Sequence, residues 1–143
     1  MKGMTLIVKT ITRLVFGFIV VYSACILLYG HITPGGGFAG GVMLACAFIL
    51  LVLAFGKQAA LDILSEKASS IWDSIGALGF LGIALLGLVT GIFFTCFIPR
   101  GTPLRLISGG TIMWSNIAIG IKVSAGLFSA FITLVVFRIT SEK

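Results

Sequence analysis

Apolar residues in this chain do not alternate with polar ones. They run on in four long blocks, at residues 6–29, 38–55, 71–98 and 111–137. About 20 consecutive apolar residues carry a helix across a bilayer, and each block meets or nearly meets that length. The pattern predicts an all-α integral membrane protein with four transmembrane helices, forming one four-helix membrane domain over residues 1–143. The second block is short and Ala-rich, which suits either a locally thinned bilayer or a packed interior helix.

Three connections separate the blocks. Residues 30–37 form a tight turn. Residues 56–70 form a mixed polar loop with Lys57, Asp62, Glu66 and Lys67, in which Leu61, Ile63 and Leu64 suggest a short surface-lying helical turn. Residues 99–110 form a Gly/Pro loop with Arg100 and Arg105. The first block follows Lys2, Lys9 and Arg13 as a signal segment would, but no small-residue cleavage site precedes the turn, so it is expected to be retained as a helix.

Charge changes the picture by giving orientation. The net charge is +6. In a soluble protein that balance would point to nucleic acid. Here 59% of residues are apolar, 10% are charged and the mean hydropathy is +1.22, so the balance reads as topology and no nucleic-acid partner is expected. Lys2, Lys9, Arg13, Lys57, Lys67, Arg138 and Lys143 fall on one side, Arg100 and Arg105 on the other. Cytoplasmic loops carry the excess of Lys and Arg, so both termini are expected in the cytoplasm and the chain in the cell membrane as a multi-pass protein. Trp72 and Trp114 fall at opposite interfaces, where an indole is favoured.

Candidate chemistry is sparse. Cys25, Cys46 and Cys96 form no CxxC pair and no metal spacing, and they read as buried small residues. The chain offers no Ser/His/Asp arrangement, metal cluster or phosphate loop. No catalytic residue, metal site or cofactor is assigned to it, which argues against an independent enzyme.

One run stands out for its backbone. Gly35, Gly37 and Gly40 match a dinucleotide fingerprint as text, but that fingerprint needs a strand before it and a βαβ unit around it. Between two membrane helices the run has another meaning. Pro34 stops the first helix, and Gly35, Gly36 and Gly37 permit a sharp reversal. Gly36 with Gly40, and Gly37 with Gly41, are spaced to let the second helix approach a neighbour backbone to backbone. Phe38 belongs to the same turn-and-packing group. The sharper alternative is that this helix start lines an ion entrance. His31, in the turn, either caps or faces water or relays a proton at the outer mouth, since an imidazole exchanges protons near neutral pH.

Lys122 is the most informative side chain. It is the one formally charged residue among the 26 of residues 112–137. A charge near the bilayer centre is costly, so such residues face protein or water and are functional candidates by default. Ser115, Ala118, Ile119, Ala125, Gly126 and Ser129 share its helical face, with Thr133 beyond. Ile117, Ile121, Phe128, Phe131 and Ile132 lie opposite, toward lipid or another hydrophobic surface. Lys122, Asn116, Ser115, Ser129 and His31 are the candidates for an ion or proton path. By helix rise, Lys122 is roughly 16 Å from the outer end of its span, and Asp73, at the start of the third, is on the order of 20 Å away in depth. On that reading no carboxylate of this chain reaches Lys122, and its partner is water, hydroxyls, carbonyls or another chain. The bland alternative is a lysine that locks a subunit interface.

The run Gly30-His31-Ile32-Thr33-Pro34-Gly35-Gly36-Gly37-Phe38-Ala39-Gly40-Gly41 resembles the signature of the MnhB/MrpB family, and residues 116–127, from Asn116 through Lys122, resemble the last helix of some members. Length and span number agree. The resemblance implies a small membrane subunit of a multi-subunit Mrp-type sodium/proton antiporter module, contributing to assembly and to an intramembrane ion or proton path. Its implied partners are other membrane subunits, the lipid bilayer, sodium ions and protons. It equally implies the same type of subunit in a ferredoxin-driven membrane-bound hydrogenase or sulfur-reducing complex. A purely structural subunit and a free-standing small transporter are the remaining readings. Antiporter members of the Bacillus type tend to carry an acidic residue about where Asn116 stands and none at Lys122, a departure that tilts the resemblance somewhat toward a redox-linked assembly.

Overall fold

A computed structural model describes residues 4–56, 65–96, 98 and 106–141. They form α1 (Leu6–Tyr29), α2 (Gly36–Phe55), α3 (Glu66–Leu86) and α4 (Thr111–Ser141), with short 3-10 turns at Gly87–Thr90 and Leu106–Gly109. All four helices are long and apolar enough to cross a membrane, and the described residues include no strand. The fold is all-α.

The helices run alternately up and down, so the start of α1 and the end of α4 lie at the same end. One pair of neighbours in space, α2 and α4, is not consecutive in sequence. α1 lies on α2, α2 on α4, and α3 on α4; α1 and α3 have no extensive contact. The arrangement is therefore open, with α2 and α4 at its centre running parallel. Burial agrees: 39% of the apolar window of α2 is buried in the chain, against 11% for α1. The short second helix is thus a packed interior helix. Val52 of α2 meets Phe128 and Ile132 of α4, and Phe48 and Phe131 pack around them. Phe128 and Ile132 face α2 rather than lipid, the protein option of the two expected for that side.

Glycine makes the α2–α4 approach possible. A Cβ on Gly37 would sit 2.5 Å from the Asn116 carbonyl oxygen, and one on Gly41 would sit 2.7 Å from that of Gly120. Leu27 of α1 fills the space over Gly40 and Gly120. Fully buried serines tie the outer helices in: Ser23 Oγ donates to the Gly40 carbonyl at 2.6 Å, and Ser69 Oγ to the Ala125 carbonyl at 2.8 Å. With no water in a bilayer core, a polar group has to find its partner within protein. Where α1 starts, the Met4 amide bonds the Ala54 carbonyl at 3.0 Å, and Lys9 and Arg13 stack over the Phe55 ring.

The third span departs from expectation. α3 starts five residues before the expected Ile71, where the Ser65 hydroxyl caps it by accepting from the Ala68 amide. It stops well short of residue 98. At Gly87 the helix tightens into a 3-10 turn, and the chain doubles back so closely that a Cβ there would lie 2.6 Å from the Thr95 amide nitrogen. Phe94 takes a positive φ of 61° in this hook and packs on Phe80. α2 and α4 are each slightly longer than expected. Trp72 and Trp114 stand exposed near the starts of two antiparallel helices, at opposite ends as expected. Cys25 and Cys46 are exposed on the chain's flanks rather than buried, because the open arrangement leaves part of the surface of α1 and α2 uncovered. The expected surface turn at Leu61, Ile63 and Leu64 lies outside the described residues, as do Arg100 and Arg105.

Gly41→Val should force α2 and α4 apart and lower the thermal midpoint of the detergent-solubilised protein, an overpacking cost of about 1–3 kcal/mol. Gly82→Ala, where nothing lies within 4 Å, should leave the midpoint unchanged or raise it. Ser69→Ala should cost roughly 0.6–1.7 kcal/mol, the range for hydrogen bonds between membrane helices, read from the same melts.

Candidate functional site

Lys122 lies halfway along the apolar part of α4 and points at α3. Its Nζ donates to Asp73 Oδ1 at 3.1 Å. The expectation that no carboxylate of this chain could reach it is therefore wrong, and the early start and early end of α3 are the reason. The membrane-length part of that helix is Lys67–Val89, so Asp73 lies about five residues, or roughly 8 Å, from its middle rather than at its edge. The long lysine stem covers the remaining offset.

Close packing holds the pair. α3 crosses α4 where a Cβ on Gly76 would lie 2.7 Å from the Lys122 amide nitrogen, and Gly79 sits against Ala118. Ser69, one turn before Asp73, bonds Ala125. Ser69, Asp73, Gly76 and Gly79 thus share one face of α3, with the acid at the centre of a small-residue seam. That spacing was the signal available in the sequence for Asp73.

Beside the pair, a groove of about 580 Å³ opens between α3 and α4, lined by Ser70, Asp73, Gly126, Ser129, Ala130 and Thr133 with Leu134 at its rim. In the isolated chain the side chains of Lys122 and Asp73 are 49% and 38% exposed. The ion pair therefore lies within the two spans yet on a flank, not in a core.

The other candidates lie elsewhere. Asn116 is six residues before Lys122, about 9 Å along the axis and about 120° around it. It faces α2, where its Oδ1 accepts from the Gly37 amide at 3.3 Å. Its buried Nδ2 has no hydrogen-bond partner among the described residues. Ser115 bonds back to the Thr111 carbonyl of its own helix. Ser129 lines the groove. His31, half-buried, does not approach Lys122; its Nε2 lies 3.2 Å from Ser108 Oγ, and its ring packs on Gly109, joining the turn after α1 to the one before α4.

The glycine run folds as the reversal expected. Gly35 and Gly36 take positive φ values of 130° and 65°, which an L side chain resists. Gly37 and Gly41 face α4, and Gly40 faces α1. Pro34 follows the end of α1 and is exposed, and Phe38 is 65% exposed, so it adds little to packing within this chain. Chemically, the chain presents three separate polar points, at His31–Ser108, Asn116–Gly37 and Lys122–Asp73. They make no continuous path among the described residues. The described residues also contain no group of three or more His, Cys, Asp or Glu able to hold a metal.

Comparison with known proteins places this architecture. A protein of Methanocaldococcus jannaschii of uncharacterised function is 39% identical over 124 residues, covering 82% of this chain and 47% of that protein. A Staphylococcus aureus protein named as a candidate antiporter subunit, mnhB2, is 38% identical over 62 residues, 43% of this chain and 44% of its own. Among solved structures, a chain of the membrane-bound sulfane sulfur reductase, an archaeal respiratory membrane complex, superposes with a TM-score of 0.75 at 31% identity, over 90% of this chain and 59% of that one. The chain spans about half the length of the curated relatives it matches. Residues 7–129 match the family described as a domain related to the MnhB subunit of Na+/H+ antiporter, and the chain belongs to that family.

Proposed function

We propose that this chain is a membrane subunit of an Mrp-type sodium/proton antiporter module, with its termini in the cytoplasm, and that the Lys122–Asp73 pair forms part of an intramembrane ion or proton path. The observation that carries the reading is the pair itself: an ammonium and a carboxylate 3.1 Å apart between two membrane-length helices, with Lys122 at the middle of its span. Such groups are costly in a bilayer and mark ion pathways, proton relays or locked interfaces. The pair can open and re-form: a proton or cation reaching Asp73 competes with Lys122, frees the ammonium and changes the local field. His31 and Asn116 support this chemistry indirectly, by holding the turns and the α2 start against α4.

A second reading has its own support. The likeness to a chain of a respiratory membrane complex, at 31% identity, favours the same type of subunit in an assembly where electron transfer drives ion movement. Purification of the native complex through a tag after Lys143, with mass spectrometry, separates the two. Membrane subunits alone are expected for an antiporter; stoichiometric iron–sulfur chains would establish the redox-driven assembly instead.

Substitution of the pair separates transport from scaffolding. Removing one partner strands the other charge, at a cost of about 3–5 kcal/mol where the pair is desolvated. Lys122→Met or Asp73→Leu alone should therefore reduce the yield of assembled complex. The double variant Lys122→Met with Asp73→Leu should recover assembly, because no stranded charge remains, yet lack ion exchange in inside-out vesicles. Recovery of both assembly and exchange would mean that the pair only holds the structure together.

A further inference from the structure

We propose that the groove between α3 and α4 is the seat of a transmembrane helix from a different subunit. This helix presents an uncharged hydrogen-bonding side chain at the level of Lys122. The inference rests on the subunit reading above and names the surface and the chemistry of the partner.

Three observations converge on this surface. First, the ion pair lies inside two membrane-length spans with about half of the Lys122 side chain uncovered. Hydrocarbon cannot cover an ion pair, because nothing in it replaces the lost hydrogen bonds; protein or trapped water has to. Second, the bonding of the pair is incomplete. Lys122 offers three N–H donors and Asp73 two carboxylate oxygens, and the one bond between them is Nζ to Oδ1. Third, the groove has the shape of a helix seat. Gly126 and Ala130, and Ser129 and Thr133, are two pairs four residues apart that keep the α4 side of the groove low, and Ser70 does the same on α3.

Charge defines the occupant. Lys122 and Asp73 together are neutral. A further charge from the partner would leave a net charge at mid-membrane, whereas an amide or hydroxyl can accept from Nζ and donate to the free oxygen at no such cost. The groove runs from the pair toward the start of α3, so the partner helix lies along that half of the membrane.

Cysteine accessibility in the native complex tests this, with Cys25, Cys46 and Cys96 replaced by alanine. Ala130→Cys should react with a membrane-permeant maleimide on the order of tenfold more slowly in the intact complex than after dissociation, since access then requires opening. A photo-cross-linking residue at Leu134, on the rim, should capture a different membrane chain of the complex. Equal labelling before and after dissociation, with other membrane chains still co-purifying, would overturn the docking surface and leave the subunit reading intact. A cross-link to a second copy of this chain would overturn the proposed occupant. Purification of this chain without other membrane chains would overturn both readings.

Discussion

Two parallel helices in backbone contact set the rest of this fold. α2 and α4 come together through Gly37, Gly41 and Gly120, where any side chain would collide with a carbonyl or a neighbouring residue. That closeness brings Asn116 within reach of the Gly37 amide and fixes how α4 is rotated about its own axis. Once that rotation is fixed, Lys122 has to point about a third of a turn away from α2, toward α3. The glycine-rich reversal and the intramembrane lysine are thus linked through the azimuth of one helix.

Inside a bilayer the hydrophobic effect does not draw helices together, because lipid tails are as apolar as leucine. What remains is packing and a few hydrogen bonds. Each outer helix uses both. α1 inserts Leu27 over two glycines and donates from Ser23; α3 lays Gly76 on α4 and donates from Ser69. The matched residues, 7–129, include all of these contacts.

The sequence made the spans, the glycine pairs and the orientation of Lys122 toward small residues legible, because each rests on local periodicity. Asp73 was not legible as its partner. Its depth depends on where α3 starts and stops, and that is set by the Ser65 cap and by a hook at Gly87 and Phe94 that hydropathy treats as more helix. Asn116 and His31 were legible as polar residues in the right places but not in their roles. Those roles depend on contacts with Gly37 and Ser108, more than 70 positions away along the chain. The exposure of Phe38 was hidden for a related reason: which side of α2 meets α4 is decided by the glycines rather than by the bulkiest residue beside them.

The open arrangement of the helices has a mechanical consequence. α3 meets the other helices extensively only along α4, so it behaves as a leaf fastened by one seam. Load applied to that leaf by a neighbour is borne where α3 and α4 cross, at Ser69, Gly76 and the Lys122–Asp73 link.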